Sequence, residues 1–317
     1  MEIYETRAEI ASRKNWFLSL VVIALVAFGT LVLLQSIAIV LTPFLFQISF
    51  DDFVSLADGN YDIPNGRMAF LFTQGLGTGL GFCIATWIVV GFLEKADLRW
   101  AKQLSRVSGK NLALVTVMTV GGMLFNGLLM YWNSQLALPE FLSGVEQWMR
   151  DMETQLMELT QFLTNFQSIP ELLVGILVIG VFAGVGEELF FRGLIQPKMQ
   201  VYFRSPHWGI WVTAIIFSAI HVQFYGFLPR MFLGALFGYL YHYTGSLFYP
   251  ILGHILNNAL TLLLVYGANQ GVFDLDVQST DTVSYPGAVV GFLVLILGFL
   301  YFKKVNRGKD EKLDQSV

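Results

Sequence analysis

From Trp16 to Phe46 no charged residue interrupts the chain, and further apolar runs recur at 68–93, 111–133, 170–191, 208–225, 228–244, 247–266 and 286–302. A helix of about 20 apolar residues crosses the ~30 Å hydrocarbon core of a bilayer. Eight such runs in one chain predict an all-α fold, a polytopic membrane bundle of about eight transmembrane helices. Only 13% of the residues are charged and 55% are hydrophobic, whereas a soluble domain averages about 25% charged. The first run, at ~1.5 Å per residue, is longer than the hydrocarbon core and is expected to tilt or protrude. It is also too long for the core of a signal peptide, and no small-residue cleavage site follows it soon enough, so a retained helix is expected.

The connections carry an orientation. Arg7, Arg13 and Lys14 precede the first run, and Lys95, Arg99, Lys102, Arg106 and Lys110 follow the second. Lys198 and Arg204 follow the fourth, and Lys303, Lys304, Arg307, Lys309 and Lys312 follow the last. Asp51, Asp52, Asp58 and Asp62 fill the first connection, and Asp274, Asp276 and Asp281 the last. With eight crossings every basic connection falls on one side, which places both termini in the cytoplasm. The small net charge of −4 gives no sign of a nucleic-acid partner.

The stretch 139–166 has a different period. Phe141, Val145, Trp148, Met152, Leu156, Leu159, Leu163 and Phe166 recur every three or four residues, with acids and Arg150 between them. This is an amphipathic helix, expected to lie on the outer membrane surface or cap the bundle, with a substrate-gating lid as the alternative. Gly75, Gly77, Gly79 and Gly81 lack the Lys-Ser/Thr partner of a phosphate loop and point to close helix packing. Gly180 and Gly184 form a small-xxx-small step of the same kind. The single cysteine, Cys83, lies in an apolar run and reads as a buried, inert thiol.

Within the fourth run stand two adjacent acids, Glu187 and Glu188. A carboxylate in the bilayer is costly and tends to be functional or paired. Successive helix residues point about 100° apart, so the two cannot share a face. Glu188 and Arg192 are spaced i, i+4 with the acid first, the favourable order for an ion pair. Glu187 is left without a local partner, as suits a general base. A purely structural ionic clasp involving both acids is the alternative. His221 and His254 occur late in the next run and in the next but one, and His254 and Asn258 share a helix face by their i, i+4 spacing. Helix counting puts Glu187, His221 and His254 at comparable depth, within about a turn of the bilayer midplane. His207 and His242, beside Trp208 and among Tyr239, Tyr241 and Tyr243, read as structural or interfacial.

The ordered set Glu187-Glu188-x-x-x-Arg192, Phe217-x-x-x-His221 and His254-x-x-x-Asn258 resembles the CPBP family of intramembrane proteases. That family includes the CAAX prenyl endopeptidases of the Rce type and many bacterial Abi-type proteins. The resemblance covers residues 170–266 and implies a catalytic core there, flanked by N-terminal helices with the amphipathic stretch in 1–169 and by a last helix and basic tail in 267–317. It implies a peptide hydrolase acting on a membrane-associated peptide or protein, in a bacterial plasma membrane if the source is bacterial. Glu187, helped by His221, would activate water. His254 and Asn258 would stabilise the oxyanion of the scissile carbonyl, and Glu188 and Arg192 would hold the architecture, with Phe217 supporting. A polar cavity opening to the cytoplasmic face is expected. No cofactor is preferred, although Glu187, His221 and His254 also form a possible zinc ligand set without an HExxH helix. A non-proteolytic scaffold or bacteriocin-immunity protein of the same fold is the alternative from another class, and a transporter or proton relay a third.

Overall fold

A computed structural model describes residues 16–272 and 283–314, with side chains to 306. The basic tail residues Arg7, Arg13 and Lys14, the acids Asp274, Asp276 and Asp281, and the side chains of Arg307, Lys309 and Lys312 lie outside this description. Among the described residues the chain is helical, without strands. The helices are α1 (Trp16–Phe46), α2 (Phe50–Ala57), α3 (Gly66–Leu93), α4 (Trp100–Leu104), α5 (Gly109–Ser134) and α6 (Ser143–Thr164). They continue with α7 (Ile169–Phe203), α8 (Pro206–Ala219), α9 (Phe227–Thr244), α10 (Phe248–Asn269) and α11 (Tyr285–Asp314).

Every apolar run became a helix. Six, namely α1, α3, α5, α7, α10 and the apolar part of α11, are long and apolar enough to cross a bilayer. The other two are α8, with 14 residues, and α9, with 18. At ~1.5 Å per residue α8 reaches only about 21 Å. The run 208–225 is therefore not helical throughout: α8 stops at Ala219, and His221 stands on the turn that follows. Conversely, α7 does not stop at 191 but continues through Arg192 to Phe203, 35 residues in all.

Local chemistry sets these ends. Ser108, Ser168 and Ser205 each cap a helix by accepting a backbone N–H in its first turn, which satisfies donors that the helix itself cannot. Gly245 ends α9 at φ +61°, and a Cβ there would meet the Arg106 guanidinium.

At one end of the bundle the connection containing α4 packs on the α9–α10 turn. Arg106 donates to the carbonyls of Thr244 and Gly245, and Ser246 donates to that of Gln103. The cation Lys198 is buried at this level against Glu94. The opposite end carries α2 and α6. There Arg67 donates to the Phe162 carbonyl, Tyr61 stacks on Phe162, and Trp148 packs on Phe224 of the α8–α9 turn. The amphipathic helix is as expected. Phe141 just before it (82% exposed) and Trp148 (50%) leave the first part of its apolar stripe open, whereas Leu163 and Phe166 at its far end pack into the bundle.

Helix α7 is the axis of the fold. Its contacts with α3 and α10 run through glycines. A Cβ at Gly186 would sit 2.3 Å from the Gly79 carbonyl oxygen, and one at Gly184 would sit 3.3 Å from the Ile255 backbone nitrogen. The glycine-rich stretch of α3 is thus a backbone-to-backbone contact, and Gly180 and Gly184 admit α10. Two apolar clusters flank the axis. One joins α1, α3, α7 and α8, and the other joins α5, α9, α10 and α11.

Candidate active site

The acids occupy an α-helical stretch of α7, Ala183–Phe190, bounded by π-helical turns at Ile176–Phe182 and Phe191–Ile195. Such turns recur at functional sites because they free backbone groups and shift side-chain register. No periodicity in the sequence announced them. The Ile179 carbonyl, in the first of these turns, accepts the Asn258 Nδ2–H from α10 at 2.9 Å.

Glu188 and Arg192 are both fully buried and paired, Arg192 Nη1 to Glu188 Oε1 at 2.7 Å. The guanidinium also donates to the Gly234 carbonyl of α9 at 2.8 Å and lies 4.9 Å over the Phe217 ring. The same Oε1 of Glu188 accepts from His254 Nδ1 at 2.8 Å. This third member was not foreseen. The carboxylate oxygen thus ties α7 to α10, and the Arg192 guanidinium extends the tie to α9.

Glu187 faces the other way, as the 100° step requires. Its Oε2 lies 4.0 Å from His221 Nε2 and 3.8 Å from His254 Nε2. Two of the three groups are deeply buried, while the His221 side chain is 28% exposed.

The tautomers follow from the hydrogen bonds. His221 Nδ1 lies 2.7 Å from the Phe217 carbonyl, which can only accept, so Nδ1 carries a proton. The Phe-x-x-x-His spacing thereby gains a reason. Phe217 lies in the last turn of α8, where carbonyls lack helical partners; the His221 backbone N–H bonds the Ser218 carbonyl instead, and the imidazole caps Phe217. In the neutral ring Nε2 then presents its lone pair to Glu187. The same holds for His254, whose Nδ1 proton goes to Glu188. Phe217 is packed edge-on to both imidazoles and to Phe191.

The turn holding His221 is under strain and under clamp. Val222 sits at φ +55°, an outlier for a β-branched residue. Asn133 of α5 grips the turn from both sides, donating to the Phe224 carbonyl at 2.7 Å and accepting from the Leu228 N–H at 2.8 Å.

Two expectations meet the structure differently, and one residue was passed over. Asn258 does not point freely at a reacting group, since its amide is engaged with Ile179 and accepts from Asn257. The exposed member of the cluster, His221, lies at the α6 end of the bundle, opposite the basic connections, and not toward the expected cytoplasmic opening. Arg230, on the first turn of α9, is an intramembrane cation that sequence reasoning passed over; Glu187 and His221 lie within its electrostatic reach. The rule that flagged the paired acids would have flagged it too. His207, bonded through Nδ1 to the Tyr239 hydroxyl, and His242 stand apart from the cluster with structural partners.

For a metal, the converging Nε2 lone pairs and Oε2 are chemically suitable donors. Their separations of 3.8 and 4.0 Å exceed the ~3.4 Å edge of a tetrahedral zinc site built from ~2.0–2.1 Å bonds. Among the described residues no set of three such groups meets metal-site geometry.

Fold and site together define an integral membrane protein with a buried Glu/His cluster borne by α7, α10 and the turn after α8. Residues 169–260 match the family model described as type II CAAX prenyl endopeptidase Rce1-like. The chain is 32% identical over 98 residues to "Uncharacterized protein YpbD" of Bacillus subtilis (strain 168), covering 30% of this chain and 45% of that protein. It is 33% identical over 109 residues to "Uncharacterized 24.3 kDa protein" of Escherichia coli, covering 32% and 48%. The chain thus spans about half the length of the curated relatives it matches. No solved structure matches.

Proposed function

We propose that the chain is a CAAX protease-type intramembrane endopeptidase whose catalytic unit is the 170–266 core, acting on a membrane-associated peptide or protein substrate. The observation that carries the reading is the convergence of Glu187 Oε2 with two imidazole Nε2 atoms, each ring locked through Nδ1. A water lodged between Glu187 and His221 gives up a proton to Glu187 as its oxygen bonds to the scissile carbonyl carbon. The carbonyl becomes a tetrahedral oxyanion. Its collapse breaks the C–N bond, and the proton held by Glu187 passes to the leaving amine. His221, with Nε2 as acceptor, orients the water. His254 and the second N–H of Asn258 would face the oxyanion and stabilise it. The bacterial relatives and the basic connections favour a bacterial plasma membrane with cytoplasmic termini.

One observation favours a second reading. Asn258 is engaged, and neutral His254 presents a lone pair, so the oxyanion side is not preformed. A non-proteolytic scaffold would need none. The test is comparative proteomics of membrane peptides in cells carrying wild type, Glu187→Gln or His221→Ala at equal expression. Peptides that accumulate only with wild type identify the substrate. Retention of the cellular function in both variants overturns the protease reading. Elemental analysis of purified protein, with and without chelator, reports on metal dependence.

A further inference from the structure

Arg230 stands one helical turn before Gly234, whose carbonyl holds Arg192. Its Nη2 donates to Gln223 on the α8–α9 turn. Its Nη1 is shielded from solvent and has no hydrogen-bond partner among the described residues. Two carboxylates lie within electrostatic reach, Glu187 in the site and Glu153 on α6. Neither forms an ion pair with it, and Glu153 accepts instead from the Tyr225 N–H at 3.3 Å. A buried, charged donor left unmade is among the more costly arrangements in a folded chain. Tethering the turn would need only the Gln223 contact, and a neutral donor would serve for that.

The place of this free donor matters. It lies at the same end of the cluster as His221, the exposed member of the set, so a chain laid across Glu187 from that edge passes it. A guanidinium presents paired N–H groups that match a carboxylate. We infer that Arg230 is a substrate-positioning residue that binds a carboxylate of the peptide substrate, fixing which bond lies over Glu187. This rests on the protease reading for its setting. The carboxylate is either the substrate's C-terminus or an acidic side chain, which share one chemistry.

The test is a binding measurement on the full chain in neutral phosphatidylcholine nanodiscs, where no lipid anion competes. Three fluorescein-labelled, mostly apolar decapeptides are titrated by anisotropy: one with a free C-terminal carboxylate, one as C-terminal amide, and the amide carrying one internal Glu. Wild type should bind one or both acidic peptides at least tenfold more tightly than the plain amide, and the peptide that shows the preference identifies the carboxylate's source. Arg230→Gln should reduce that preference to under twofold while leaving the plain amide unchanged. Arg230→Lys, which keeps charge but loses the fork, should lose at least threefold of it. No preference in wild type, a preference that survives Arg230→Gln, or equal weakening of all three peptides overturns the inference; equal weakening marks a structural role for the turn. If Arg230→Gln does not fold, an unchanged preference in Arg230→Lys overturns it. Hydrolysis is scored by mass spectrometry in the same samples, so binding without cleavage defeats the protease reading and leaves the Arg230 assignment standing.

Discussion

Replacing Arg192 by Met isolates the energetics of the buried cluster. The substitution keeps an apolar stem of similar length and removes the guanidinium. Glu188, fully buried, would retain His254 Nδ1 as its hydrogen-bond donor. Removing one partner of a buried ion pair costs about 3–5 kcal/mol, because an uncompensated charge stays behind. The lost bond to the Gly234 carbonyl, about 1 kcal/mol, and the lost stacking over Phe217 overlap with that figure and are not added to it. Glu188→Gln alone should cost a similar amount, since it strands Arg192. The double variant Glu188→Gln, Arg192→Met leaves no buried charge. It should be less destabilised than the sum of the singles by at least about 2 kcal/mol, the coupling expected of a directly paired site.

Thermal unfolding in detergent provides the assay. Cys83 is the sole cysteine and lies partly buried on α3, so reaction with a thiol-activated dye reports opening of the bundle. At about 2–4 °C per kcal/mol, the scale for domains of 150–250 residues, each single variant should lower the midpoint by about 6–20 °C. The double should lie well above the additive value. Singles and double that add to within about 0.5 kcal/mol would refute the reasoning, because the pair would then not be energetically coupled.

Other consequences are as direct. Gly186→Ala should strongly destabilise the bundle or abolish folding, because the new methyl meets the Gly79 carbonyl and neither backbone can yield cheaply; expression and midpoint check this. Val222→Gly should relieve the strained turn, leaving stability unchanged or raised by up to about 1 kcal/mol, while loosening His221 and lowering peptide turnover. Glu146 is held below the ordinary carboxylate range by Arg150 and the Leu138 N–H. A depressed pKa contributes stability above the unfolded value near 4.5, and that contribution fades as pH falls through the folded value. Protection of the amides at the start of α6, corrected for intrinsic exchange, should therefore fall as pH drops below the unfolded value near 4.5 and stay level between pH 6 and 8. With Cys83 replaced by Ala, an impermeant maleimide on intact cells should label Phe141→Cys in the turn just before α6, and Lys102→Cys only after permeabilisation; the reverse pattern would invert the orientation.

Much of the framework was legible because it rests on rules that act locally. Apolar run length located the long helices, though not α2 or α4, and glycines with no chemical partner marked α3 and α7 as closely packed helices. The i, i+4 rule found Glu188 and Arg192. What stayed hidden depends on where backbone groups end up. An extra residue in a π turn leaves hydrophobic periodicity almost untouched, so the two such turns around the acids left no trace, and neither did the Ile179 carbonyl that draws Asn258 away from the site. The His254–Glu188 bond joins helices 66 positions apart, beyond any spacing argument.

The Phe217-x-x-x-His221 spacing shows the difference most clearly. As a motif it says only that a ring and an imidazole share a helix face. In the fold the important atom of Phe217 is its carbonyl oxygen. Because α8 stops at Ala219, that oxygen has lost its helical donor, and the imidazole supplies one. The helix end thus decides which nitrogen of His221 carries the proton and which faces Glu187. Were α8 to continue as a full-length span, the backbone N–H of His221 would satisfy Phe217 itself, and nothing would fix the ring. A substitution that lengthens α8 without touching the cluster tests this. Val222→Ala removes the β-branch beside the turn, and with Ile220→Ala it removes a second one in the residues that would extend the helix. The pair should extend α8 and reduce turnover while leaving the Glu188–Arg192 anchor and the unfolding midpoint near wild type. Full activity in a variant whose α8 has lengthened would show that the capped carbonyl does not set the tautomer.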